Sequence, residues 1–213
     1  MNENKLLRAT VILANIIGLL ILLYGGIKNP ENVRVFRALD FLQNILLFNL
    51  ILFLFLPNKK EFNIALLIGI FTMVFDYFLE TFAVLLDWWY PLGGIQFPPI
   101  LIVPLEMVGG FVFLGTCMGI ILTFPEKIRE IDFSLLNWLK PLFRDPKYDT
   151  MWRIMLLFLN AIIGTHGDYS AGPTIWAPGA SWHPIYTFMV WFGGGIITLL
   201  LFNYLRKKIK EKK

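Results

Sequence analysis

The sequence predicts an all-α integral membrane protein, a bundle of six transmembrane helices with an amphipathic segment lying in the interface between spans four and five. Three observations predict it. Of the 213 residues, 57% are hydrophobic and 16% charged, where a soluble domain carries about a quarter charged residues. Mean hydropathy is +0.65. The apolar residues also fall in runs, several close to the ~20 residues that cross a bilayer.

The six predicted spans cover about 7–27, 38–56, 62–87, 99–123, 152–166 and 184–205, in one polytopic domain over 1–213. The first follows "MNENKLLR" without a small-residue cleavage site, so it reads as a retained helix and not a signal peptide. Span two places Arg37, Asp40 and Asn44 on one face. Span four opens at Pro99 and carries Gly115-x-x-x-Gly119, a spacing that lets helices approach closely. Between spans four and five, "IDFSLLNWLKPLF" puts Ile131, Leu135, Trp138 and Leu142 at helical spacing opposite Lys and Arg, as in an interfacial helix. Span five is short and is expected to break at "GTHGD". Span six opens at Pro184 and contains the glycines 193–195.

Loop charge sets the orientation. "PNKKE", the 125–153 connection and the terminal "RKKIKEKK" are basic, whereas 88–98 and 167–183 contain no Lys or Arg. Both termini are therefore expected in the cytoplasm, with the two aromatic loops outside a cell membrane. Lys28, Arg34 and Arg37 in the first loop dissent. The basic tail reads as an anchor on anionic lipid and not as a nucleic-acid site. Cys117, the single cysteine, lies inside a span, so no intrachain disulfide forms.

A repeat runs through the two outer loops. "WYPLGGIQFPPILIVPLEMVGG" (89–110) parallels "WAPGASWHPIYTFMVWFGGG" (176–195). Each begins Trp-x-Pro, and Pro99 precedes Gly109-Gly110 by the spacing that separates Pro184 from Gly194-Gly195.

The candidate chemistry comes from acids inside the spans. In "DYFLETFAVLLD", Asp76, Glu80 and Asp87 fall within roughly 40° on a helix. Glu106 in span four lies at a depth matching Glu80. Asn160, His166 and Asp168 end span five, and His183 opens span six. These polar residues gather in the outer half of the bundle, which predicts an interior pocket opening toward the outer leaflet. A carboxylate in hydrocarbon costs several kilocalories per mole, so it is paired, protonated or functional. One arginine, Arg37, cannot neutralise Asp40, Asp76, Glu80 and Glu106 together, so some of these acids are expected to be neutral and able to donate a proton. Trp88, Trp89, Tyr90, Phe97, Trp176 and Trp182 crowd the outer mouth. They suit an interfacial belt or a wall whose π faces stabilise a cation.

Residues 76–113 resemble the membrane-embedded carotenoid enzymes, the small helical lycopene β-cyclases and the related carotenoid hydratases. The matching pieces are Asp76 and Glu80, the element "WWYP", and "VPLEMVGGFVF". Where the cyclases carry Pro-x-Glu-Glu, this chain has Pro104-Leu105-Glu106-Met107, without the second acid. The resemblance implies protonation of an isoprenoid double bond, with Glu80 and Glu106 as acids, Asp76 beside them, and Trp88, Trp89, Tyr90, Trp176, Trp182 and Arg37 around the substrate.

Two other readings follow from the residues. His166, Asp168 and His183, with Glu80 and Glu106, have the donor chemistry of a divalent metal site. Alternatively, the carboxylates carry protons or cations in a transporter, to which the repeat points. No nucleotide or flavin fingerprint is present, so no such cofactor is implied. The expected partners are a lipid or isoprenoid substrate and the membrane itself.

Overall fold

The computed structural model describes residues 57–92, 103–130 and 138–211, together with 45–53, 55 and a few isolated earlier positions. The expectations for the first span, for Arg37, Asp40 and Asn44, and for Phe97 and Pro99 lie outside these residues. The described chain is mostly helical. Helix α1 spans Lys59–Leu85 and leads through strand β1 (Trp89–Pro91) toward α2 (Leu105–Ile121) and the short α3 (Phe124–Glu130). Two 3-10 turns, Lys140–Phe143 and Pro146–Tyr148, precede α4 (Asp149–Ile175), strand β2 (Trp176–Pro178) and α5 (Pro184–Glu211).

Local chemistry explains where α1 begins and ends. The Asn58 side chain accepts from the Lys60 and Glu61 backbone N–H groups, each at 3.0 Å, while Glu61 accepts from the Asn58 N–H at 2.9 Å. This reciprocal cap satisfies donors that the first turn leaves open. At the other end Asp87 adopts φ 57°, so the chain turns out of the helix. The N–H of Trp88 then reaches Ala83 O and that of Asp87 reaches Val84 O, closing the last turn. Asp87 is thereby removed from the helical face of Asp76 and Glu80, and the helix ends at Leu85, two residues before the expected boundary.

Helices α1 and α2 pack through small residues. A Cβ on Gly115 would stand 2.9 Å from Gly69 Cα, and one on Gly119 would stand 2.7 Å from Ala65 Cα. The Gly115-x-x-x-Gly119 spacing therefore brings two backbones together, as small-residue motifs do in membranes. Buried Ile64, Ile68, Leu122, Leu157, Leu199 and Phe202 form a core joining α1, α4 and α5 at the turn after α2.

The bend between α2 and α3 measures 56° and is held by charge. Arg153 of α4, 6% exposed, donates from Nε to Leu122 O at 2.9 Å and pairs with Glu126. Glu126 also accepts from Arg206 at 2.5 Å, and both guanidinium groups lie over the Phe202 ring. Arg129 grips Asp149 with two hydrogen bonds of 2.8 and 2.9 Å. These hydrogen bonds, and the positive charge beside them, hold the Asp149 carboxyl below the usual carboxylate range.

At the opposite end the two Trp-x-Pro segments form an antiparallel pair in the register Trp89↔Pro178, Tyr90↔Ala177 and Pro91↔Trp176. The Trp-x-Pro elements of the repeat are thus neighbours in space. Asp87 fastens this end: its carbonyl accepts from Ser181, its carboxylate accepts from Ala180 N–H and from the Tyr90 hydroxyl, and Trp88 O accepts from Gly179 at 2.8 Å. A Cβ on Gly179 would lie 2.1 Å from Asp87 O, so only glycine permits the approach. The Asp87 hydrogen bond pushes the Tyr90 hydroxyl above its usual pKa.

Two helices, α1 and α5, are long and apolar enough to cross a membrane, and α2 with α3 adds a third crossing if the bent pair is one span. The expected break of span five at "GTHGD" is overturned, because α4 continues as helix through these residues to Ile175. Thr165 there donates to Ala161 O at 2.7 Å, within the helix ladder. Gly164 supplies a flat contact, since a Cβ would sit 2.5 Å from the Trp191 ring. In the segment expected to lie in the interface, Trp138 (70% exposed) and Leu142 are open to the surroundings, while Phe143 is buried against Phe124 and Trp152. Ile131 and Leu135 fall outside the described residues.

Candidate functional site

A cavity of about 140 Å³ lies between the α1–α2 and α4–α5 hairpins. Its walls are largely apolar, with Phe75, Phe111, Leu114, Met118 and Val190 among them. Into this setting α1 projects Thr72, Asp76 and Glu80, one residue per turn on one face. From α4 come Asn160 and Asp168, and from α5 Thr187, Trp191 and Thr198.

Two of the carboxylates are each held by an indole. Trp89 donates from Nε1 to Glu80 Oε2 at 2.5 Å, and Trp191 donates from Nε1 to Asp168 Oδ2 at 2.7 Å. Trp89 is 8% exposed and reaches the cavity from strand β1. Asp76 and Asp168 line the same cavity from α1 and α4. Three carboxyl groups thus line one largely apolar cavity, and an indole N–H fixes the orientation of two of them.

The predicted residues divide by position. Asp76, Glu80 and Trp89 line the cavity. Glu106 stands in the first turn of α2, next to Met107, which lines the cavity; the placement of the Glu106 side chain is outside the described residues, as is that of Trp176. Trp88 stacks on Tyr186 with ring centres 4.9 Å apart. Tyr90 is exposed and tied to Asp87, and Trp182 donates to Thr187 at 3.3 Å. These three serve the β1–β2 end and its flanks. Arg37 lies outside the described residues.

The proposed metal ligands are not brought together. Asp168 enters the cavity, whereas His166 and His183 are exposed, and His183 Nδ1 accepts from the Ile185 N–H at 3.2 Å. Among the described residues no group of three His, Cys, Asp or Glu side chains could hold a metal ion.

Sequence reasoning missed Trp191 and Thr72 as lining residues. Trp191 has no local signal, because its partner Asp168 is 23 residues away on another helix. Thr72 does have one, since it extends the Asp76–Glu80 face by a turn. Its hydroxyl oxygen is buried without a hydrogen-bond partner among the described residues.

No family model, no curated protein and no solved structure shows detectable similarity to this chain.

Proposed function

We propose that this chain is a multi-pass membrane enzyme that protonates a carbon–carbon double bond of an isoprenoid or related lipid. The observation that carries the reading is the gathering of Asp76, Glu80 and Asp168 around one largely apolar cavity with two tryptophans. Acids in such a place are protonated, paired or functional, since an uncompensated charge costs several kilocalories per mole to keep there.

The outer faces support the membrane setting. Leu66, Ile70, Val74, Phe78 and Phe82 follow one another at four-residue steps along α1, and all are exposed. Only 22% of the apolar window of α1 and 28% of that of α5 is buried within the chain. Helices with apolar residues outside and acids inside are arranged for lipid, the reverse of a helix in water. Lys127, Arg129, Arg153 and Arg206 gather at the end holding the α2–α3 bend, while residues 86–92 and 176–183 contain no Lys or Arg. By the positive-inside rule the basic end faces the cytoplasm and the β1–β2 end faces out. Six spans with both termini cytoplasmic complete this proposed topology.

In the proposed reaction Glu80, oriented by Trp89, delivers a proton to one alkene carbon, and the tertiary cation forms at the other. Glu106, at the same end of the cavity by its place in α2, is the companion acid. The Trp89 and Trp191 rings offer π faces to the cation. Capture by a second double bond, from the next unit folded back at the cavity mouth, gives a ring, with a proton lost to a cavity carboxylate. Capture by water gives an alcohol once the oxonium ion returns its proton to the Glu80 carboxylate.

Isosteric replacement tests this reading. Glu80→Gln, Asp76→Asn and Asp168→Asn keep shape and hydrogen bonding but cannot donate an acidic proton. Expressed beside wild type in a host supplying acyclic isoprenoids, Glu80→Gln should lose product formation while keeping its thermal stability. Undiminished product from Glu80→Gln would end the Glu80 assignment.

Proton-coupled transport is a second reading, favoured by one observation, the spatial pairing of the two Trp-x-Pro repeats. Flux into proteoliposomes under a proton gradient would support it.

A further inference from the structure

We propose that the cavity receives only the terminal group of an apolar chain, about six carbons in size, and that Gly194 sets this limit. The size follows from volume. An apolar protein cavity of about 150 Å³ takes up benzene, and the space here is about 140 Å³. A whole lipid or long isoprenoid does not fit, so its end enters and the remainder stays between helix faces and bilayer.

The lining is graded to receive such an end. Glu80 and Asp168, held by Trp89 and Trp191, stand toward the β1–β2 end, and Met118, Ile121, Gly195 and Thr198 lie deeper. Gly194 lines the wall one turn beyond Trp191. A Cβ placed there would meet Phe75 Cε1 at 3.7 Å, an ordinary contact, so the position accepts a side chain only by giving up cavity space. Gly193, its neighbour, does not line the cavity, and a Cβ there meets nothing within 4 Å. The two adjacent glycines therefore separate space inside the cavity from space outside it.

The size limit stands on the cavity alone, and only the identity of the chain rests on the reaction proposed above. The test measures binding without turnover. Protein in lipid nanodiscs is titrated with fluorobenzene and followed by fluorine NMR. Wild type should give a saturable bound resonance, retained by Gly193→Ala and lost in Gly194→Leu. If Gly194→Leu does not fold, Gly194→Ala should bind about fourfold more weakly, the effect of one methyl's worth of lost contact space. Fluoronaphthalene should not bind. A fatty acid bearing a fluorophenyl group at its ω end should reproduce the bound resonance, and one bearing the ring in mid-chain should not. Absence of saturable fluorobenzene binding, unchanged binding in the foldable Gly194 variant, or equal binding of fluoronaphthalene or the mid-chain ring would each overturn the proposal. None of these outcomes depends on catalysis, so the binding limit and the protonation mechanism succeed or fail separately.

Discussion

Tyr90 lies directly opposite Ala177 across the antiparallel pair that joins the two Trp-x-Pro segments. The pair forms because Asp87 turns the chain out of α1 with a left-handed backbone and then binds Ala180 and Ser181 across the gap. Opposed residues in such a pair have Cα atoms about 4.5–5.5 Å apart, within the range a disulfide spans. Tyr90→Cys with Ala177→Cys, in a Cys117→Ala background, should oxidise to an intrachain disulfide, read as a mobility shift reversed by reductant. Adding Gly179→Ala should suppress it, because the new methyl would occupy the place of Asp87 O. Equal oxidation with and without Gly179→Ala would contradict the pairing.

Much of this arrangement was legible beforehand, and the rest was not for identifiable reasons. The Trp-x-Pro repeat was visible in the letters, but its mutual pairing depends on contacts between loops far apart in sequence. Gly115-x-x-x-Gly119 announced a close helix contact, although not that Gly69 and Ala65 of α1 would meet it. The acidic stripe was correctly spaced for Asp76 and Glu80. Asp87 left it because helix periodicity carries no information about a residue that adopts positive φ. "GTHGD" suggested a break because Gly, His and Asp are poor helix formers. The contacts of Gly164 and Asp168 with Trp191 lie within the continuous helix and favour it over that local preference.

The bend between α2 and α3 carries its own pH dependence. Arg129 lowers the Asp149 carboxyl, so the charged pair adds stability above the ordinary aspartate range, near about pH 4. That stability is lost as pH falls through the lowered value of the folded state. Thermal unfolding followed from neutral to acid pH should show the loss in wild type, and Asp149→Asn should flatten that part of the curve. Arg153→Met should cost more, about 3 kcal/mol, because it leaves part of the Glu126 charge buried without its partner. A change below about 1 kcal/mol would show that Arg206 alone suffices for Glu126.

The proposed orientation predicts which end is reachable. In the Cys117→Ala background, Ser181→Cys should react with an impermeant maleimide added to intact cells, and Lys147→Cys should react only after permeabilisation. Both original residues are exposed, at opposite ends of the helices. Labelling in the reverse order would invert the topology and place the cavity's acids toward the cytoplasm.

Proton delivery to carbon leaves an isotopic record. Membranes containing the protein, incubated in D₂O with acyclic isoprenoids, should yield a product carrying one deuterium on carbon that survives return to H₂O. Glu80→Gln membranes should yield none. Product formed without carbon-bound deuterium, or undiminished incorporation by Glu80→Gln, would contradict the proposal that Glu80 donates the proton.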